Sequence, residues 1–176
     1  MSEFIVTAIV LDREPAREFD EYVHLYTREH GRLSARAVSS RKMHSKFSHH
    51  LDPLTHVKAR LVGAGSYVLA DALPVNRFTE LRKDRAELAK ALRIASFIRN
   101  YFPEGGVDER AWDFFEECLR KARMDARGLL GLLGFGAGEA CRKCAKKSAE
   151  RFFIPDHAFL CVSCSSKMPE NQLLYI

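Results

Sequence analysis

Four cysteines carry the clearest chemistry in this chain. Cys141-Arg-Lys-Cys144 and Cys161-Val-Ser-Cys164 are two Cys-x-x-Cys knuckles separated by the sixteen residues Ala145–Leu160. With two residues between its cysteines, each knuckle can turn tightly enough to aim both sulfurs at one ion. Four thiolates close a tetrahedral shell around zinc, and this separation is one that zinc ribbons use. Two disulfides are the competing use of the same residues, but nothing in the sequence points to an oxidising compartment. One structural Zn2+ held by Cys141, Cys144, Cys161 and Cys164 is therefore expected. A closed four-sulfur shell leaves no position for water or substrate, so the site reads as structural rather than catalytic. Cys118, between Phe115 and Ala122 on an apolar helical face, reads as a buried thiol.

The second feature is charge. Between Arg28 and Arg60 there are eight Lys/Arg (Arg28, Arg32, Arg36, Arg41, Lys42, Lys46, Lys58, Arg60) against two acids, Glu29 and Asp52. Strand alternation would gather Arg32, Arg36, Lys58 and Arg60 on exposed faces beside Tyr22, His24 and Tyr26. Basic residues that track phosphates, with aromatic rings as stacking platforms, are what a single-strand-binding groove requires. An ordinary solvated strand face is the plainer alternative. A second basic cluster, Arg142, Lys143, Lys146, Lys147 and Arg151, surrounds the first knuckle, and either display on a rigid turn or solubility accounts for it. His44, His49 and His50 lack carboxylate or cysteine partners at ligand spacing and read as polar-loop residues. His157 is superfluous beside four cysteines. Gly134-Phe-Gly-Ala-Gly138 lacks the endings of phosphate-binding loops and reads as a helix terminator. Trp112 reads as core. With no serine elbow, metalloprotease helix or deaminase signature, no catalytic constellation is present.

The elements that must position these residues follow from periodicity. The chain has 176 residues, 47% of them hydrophobic, and a formal charge of +5, enough for real cores. Phe4–Leu11 reads as a buried strand, too short to span a bilayer, followed by a charged loop. Tyr22–Thr27 and Arg32–Ser39 alternate around an Arg28–Gly31 turn, in which Gly31 is able to take positive φ. After a polar basic loop over Ser40–Asp52, Thr55–Val62 alternates again. Gly63-Ala-Gly65 turns the chain into a fifth strand, Tyr67–Leu73, ending at Pro74. Five short strands in roughly seventy residues suggest a small barrel of the OB type. Beyond Pro74 the period becomes helical: Leu88, Leu92, Ala95 and Ile98 mark a helix over Asp84–Phe102. Asp108 caps a second helix bearing Ala111, Trp112, Phe115, Leu119 and Ala122, and a third piece covers Asp125–Leu133. The expected class is α+β: an OB-fold DNA-binding domain (1–75), a small helical domain (76–137), and a four-cysteine zinc-ribbon module with tail (138–176). The ribbon itself is expected to run from Gly138 to about Met168. The N-terminus lacks a basic, apolar leader, so a soluble cytoplasmic protein is expected, with no membrane partner.

These parts, in this order, resemble the bacterial DNA repair protein RecO family. Leu25–Val38 is similar to that family's hairpin, with Thr27, Gly31 and Ala35 in place, and Ser40-Arg-Lys42 with Leu51-Asp-Pro-Leu54 is similar to its basic loop. Leu129–Phe135 resembles the helical motif before the cysteines, and Phe152-Phe153 and Phe159-Leu-Cys161 match its aromatic and pre-cysteine positions. Two departures stand out. Ala145 replaces the usual glycine after the second cysteine, and the chain reads as a short form with little helix after Cys164. The resemblance implies a non-enzymatic, nucleoid-associated recombination mediator in DNA damage repair. Such a protein binds ssDNA and dsDNA, anneals single strands and associates with RecR. It also contacts single-strand DNA-binding protein (SSB), and so indirectly helps load RecA onto coated strands. On that reading Arg32, Arg36, Arg41, Lys42, Lys58 and Arg60 contact the DNA backbone, with Tyr22 and Tyr26 as stackers. Two rivals are a protein–protein adaptor without direct DNA binding and a zinc enzyme acting on nucleic acid, which would need an open metal position.

Overall fold

The computed structural model describes every residue except Met1, Met43, His44, Lys46, Ser48, His49, Ala137 and Lys147. The expectations for His44, His49, Lys46 and Lys147 thus lie outside the described residues. Packing divides the chain into two compact units, Met1–Ala122 and Arg123–Ile176.

Five strands of the first unit, β1 (Glu3–Pro15), β2 (Glu21–Thr27), β3 (Gly31–Ala37), β4 (His56–Ala64) and β5 (Ser66–Asn76), close into a barrel in the order β1-β2-β3-β5-β4. This is the expected five-stranded OB architecture. Alternation puts Val6, Ala8, Val10, Val23, Leu25, Leu33, Ala35, Val57, Ala59 and Leu61 into one shared core. The β2–β3 turn is locked by Thr27, whose Oγ1 donates to the Gly31 carbonyl (2.9 Å) and accepts from the His30 N–H (3.0 Å). Gly31 has φ +63°. The threonine and glycine of the hairpin thus form one turn device.

Two strands outrun their expected ends. Where a charged loop was expected after Leu11, β1 continues to Pro15. The register slips by one at Leu11, since Val10 pairs with Leu25 but Asp12 with His24. Such a bulge bends the strand around the barrel and lets a charged segment stay in the ladder. β5 likewise passes through Pro74, which pairs with Val57, while its other neighbour β3 meets it only at Tyr67 and Val68. Proline is tolerated there because that edge needs no N–H.

Three helices complete the unit: α1 (Thr79–Lys83), α2 (Arg85–Tyr101) and α3 (Glu109–Arg120). Asp84 caps α2 by accepting from the Ala86 and Glu87 N–H groups, and Asp108 caps α3 by accepting from Ala111. The buried stripe of α2 is Ala91, Ile94, Ala95, Phe97 and Ile98; Leu92 is 42% exposed and Leu88 only half-buried. The expected Leu88–Leu92 seam is therefore corrected by one residue. Small Ala91 faces inward where α2 packs on β1, which also buries the outward Ile9 and Leu11. α3 buries Ala111, Trp112, Phe115, Cys118 and Leu119 as expected. Ala122 falls beyond its end at φ +51°.

The second unit contains α4 (Ala126–Leu132), capped by Asp125 through the Gly128 N–H (2.8 Å). It continues with β6 (Arg151–Phe153), β7 (Ala158–Leu160), the short α5 (Val162–Ser165) and β8 (Leu173–Tyr175). The sheet order is β7-β6-β8. The ribbon thus extends past Met168: the tail returns to pair Leu173, Leu174 and Tyr175 with Phe153, Phe152 and Arg151.

Candidate metal centre and nucleic-acid interface

Each cysteine knuckle is placed by local chemistry. At the first, the Ala145 N–H donates to the Cys141 carbonyl (2.8 Å) and the Cys141 N–H to that of Lys146 (2.8 Å). Ala145 has φ +59°, a left-handed conformation that favours glycine. The second knuckle leaves β7 directly into α5. There Ser165, fully buried, ties its hydroxyl to the Cys161 and Val162 carbonyls. Arg127 on α4 is a positioning residue with no motif to announce it. Its guanidinium donates to the Gly138 (2.8 Å) and Ala149 (2.7 Å) carbonyls and clamps both flanks of the first knuckle.

All four Sγ atoms lie within 4.8 Å of one another, with Cys144 and Cys161 3.7 Å apart, and no cysteine is in a disulfide. A tetrahedron of ~2.3 Å metal–sulfur bonds has edges of about 3.8 Å, so the four sulfurs fit one metal ion. Cys141 and Cys161 are buried, Cys144 is exposed and Cys164 half-buried. Burial opposes the Cys141 thiolate. Backbone N–H groups at Cys161, Cys144 and Lys143 outweigh it and bring its pKa down to about 6. Hydrogen bonds with the Cys161 and Cys144 sulfurs push Cys164 up to about 12. Four thiolates this close cannot all ionise without a cation between them.

On the barrel, the predicted DNA-contact residues do not form one face. Arg36 pairs with Tyr22 across β2–β3 and neighbours Val68 of β5. Together with Arg32, Tyr67 and Glu104 they line a cleft of about 630 Å³, walled by the 104–107 loop. Arg36 is half-buried and makes no ion pair among the described residues; Tyr22 is 46% exposed. Arg32 is committed to the cleft wall, its Nε donating to the Phe102 carbonyl (2.8 Å) and its Nη1 to Glu104 (3.2 Å). Arg41 and Lys42 are exposed in the loop after β3. Lys58 and Arg60 stand on β4, which is separated from β2 by β1 and from β3 by β5, so they lie apart from the cleft. Arg60 is paired with Glu3 (2.8 Å).

Tyr26 must be corrected outright. It is fully buried, its ring edge-on to Phe102, its hydroxyl donating to the Asp108 carbonyl (3.3 Å) and its own carbonyl accepting from Trp112 Nε1 (3.1 Å). A ring with no open face cannot stack on a base, and burial also pushes its pKa up.

His24 belongs to the same outer face but is likewise covered. Its Nδ1 lies 2.9 Å from Ser34 Oγ, and its Nε2 lies 3.4 Å from Glu14. Burial lowers its pKa and Arg32 adds to this, against Asp12 and Glu104. His56, edge-on to Trp112, is lowered by burial against Glu116 and Glu29. Both rings thus resist protonation more in the fold than in the unfolded chain, which takes up their protons near the ordinary value of 6.5. The stability they contribute is therefore present above about pH 6.5 and is lost as pH falls below it toward the folded values. Melting of the 1–122 unit is expected to occur at lower temperature at pH 5.5 than at pH 7.5, with His24→Gln flattening the dependence. Coincident melts at both pH values would contradict the burial argument.

Residues 1–78 match the family model described as Recombination protein O N terminal. A DNA repair protein RecO of Roseiflexus sp. (strain RS-1) is 26% identical over 173 residues, covering 90% of this chain and 61% of the relative. That of Myxococcus xanthus is 29% identical over 137 residues, covering 77% and 56%. That of Streptomyces avermitilis reaches 37% over 75 residues, covering 43% and 30%. The chain thus spans about 60% of the length of the first two relatives. Among the described residues no helix is long and apolar enough to cross a membrane. The barrel thus matches the N-terminal model of the RecO family, and most of the chain is similar to DNA repair proteins RecO.

Proposed function

We propose that this protein is a non-enzymatic DNA-binding recombination mediator of DNA repair. It binds single and double strands, anneals complementary strands and, with RecR, helps load RecA onto SSB-coated DNA in the cytoplasm. The observation that carries this reading is the β2–β3 cleft, where Arg36 makes no ion pair among the described residues and stands beside the open ring of Tyr22 on a barrel of the OB type. A cation at a cleft rim can meet a phosphate, and the ring offers a face to a base. Arg32 would shape the wall, with Arg41 and Lys42 extending the track from the loop. Lys58 and Arg60 would meet phosphates of a second strand segment. Neutralising phosphates on two strands lowers the repulsion that slows annealing.

Zinc is the metal that four thiolates at this spacing suit best, and it would act structurally by fixing the ribbon. Functionally, 1–75 would carry DNA contact, 76–137 partner docking and 138–176 the metal module. Arg36→Glu is the test of the DNA reading. By fluorescence anisotropy it is expected to weaken binding of a labelled oligonucleotide and make the salt slope shallower by about one unit or more. Unchanged affinity and slope would remove the cleft from the account.

A further inference from the structure

Three exposed apolar side chains gather at one end of the β2–β3 face: Phe19 (44% exposed), Tyr22 (46%) and Val38 (45%). Isolated apolar residues on a surface need no explanation. Phe19, however, is held on a stitched loop. The Arg41 N–H donates to the Phe19 carbonyl (3.1 Å) and the Ser39 N–H to Asp20 Oδ1 (2.8 Å). The buried Glu21 carboxylate accepts from Ser40 Oγ (2.8 Å) and from Arg13. These bonds fasten residues 19–21 to residues 39–41 and fix the backbone that carries the ring. Lys42 Nζ sits 5.6 Å from the centroid of that ring, and Arg41 is exposed beside it.

We infer that Phe19 is a stacking platform for an unpaired nucleobase, with Lys42 and Arg41 holding the flanking phosphates, and that it gives the protein a preference for single-stranded over duplex nucleic acid. The inference rests on the proposed DNA-binding reading and adds a residue and a strand preference to it. A base inside a duplex is already stacked on both faces and has none to offer. A base in a single strand has both, and a pre-positioned ring gains its stacking energy without ordering the loop first. Tyr22, two residues into the same turn-and-strand segment, continues the line of open rings toward the cleft. Stacking carries no charge, so it leaves the number of neutralised phosphates unchanged.

That independence from salt separates the two claims. Wild type, Phe19→Ala, Phe19→Leu, Phe19→Trp and Arg36→Glu would be titrated against a labelled oligo(dT) and a duplex of the same length across a salt series. Loss of the ring in Phe19→Ala and Phe19→Leu is expected to weaken single-strand binding roughly 5- to 150-fold at every salt concentration. The slope and the duplex affinity are expected to stay as in wild type, and Phe19→Trp to restore binding. Because the side chain is exposed, unchanged melting temperatures should accompany these results. If Phe19→Ala binds single strands like wild type while Arg36→Glu does not, the platform is overturned and the DNA-binding reading survives. Equal losses on single strand and duplex also overturn it. Absence of any binding by wild type overturns both.

Discussion

Removing the metal is expected to unfold residues 123–176 while the barrel unit stays folded. The second unit has, among the described residues, three strands of three residues each, and the cluster around its knuckles is Cys141, Phe153, Ala158, Leu160, Cys161 and Leu173, two of them proposed ligands. Strands this short around two sulfur ligands gain little on their own, so metal binding would supply much of the folding free energy of the ribbon. Structural zinc contributes about 10–16 kcal/mol in small modules. Chelation, or Cys161→Ser, should abolish the cooperative melt of this unit and release about one metal ion per chain in a colorimetric assay. Because Cys161 is buried, its loss would leave three sulfurs around an open coordination position. A Cys161→Ser protein that melts like wild type, metal retained, would show that the four cysteines do not hold the ribbon.

The second large effect is expected at Gly31. Its φ of +63° disfavours any side chain, and a Cβ there would stand 2.1 Å from the Gly106 carbonyl oxygen. The hairpin tip packs directly on the loop that walls the cleft, where Arg32 bridges to Glu104 and accepts from the Gly105 N–H (2.9 Å). Gly31→Ala therefore combines a left-handed penalty of roughly 1–2 kcal/mol with overpacking of about 1–3 kcal/mol. For a unit of this size that should lower Tm by on the order of 10 °C. It should also weaken DNA binding, because the wall must shift. Gly105→Ala is the internal control: φ is +71° but nothing lies within 4 Å of the added carbon, so only the conformational penalty applies. Equal losses in the two variants would mean that the Gly31–Gly106 contact does not matter.

What could be read from the sequence was chemistry confined to short segments. Knuckle spacing, the Arg28–Gly31 turn and the Asp108 cap each act within four residues and stand where expected, and the caps at Asp84 and Asp125, at the starts of two expected helices, are equally local. The misreadings involve contacts between distant segments. Alternation correctly puts Tyr26 on the outer face of β2, but that face is covered by Phe102 and α3, which no local pattern announces. Lys58 and Arg60 share the alternation of Arg32 and Arg36. The interposition of β5 between β3 and β4 separates them, and that order is a property of the closed barrel. Ala91 replaces Leu92 in the seam because a helix lying close on a strand selects size as well as polarity. Phe19 escapes sequence reading for the same reason: its loop shows no periodicity, and only the bonds to residues 39 and 41 show that its backbone is held.

The central claim is that the basic barrel holds a nucleic-acid backbone. Its most direct test is the affinity of the wild-type protein for a labelled single-stranded oligonucleotide as a function of salt. Log affinity should fall linearly with log salt, with a slope of about −3 to −5, corresponding to roughly four to seven neutralised phosphates. No binding at low salt, or an affinity indifferent to salt, would contradict the account and leave the barrel as a surface for protein partners.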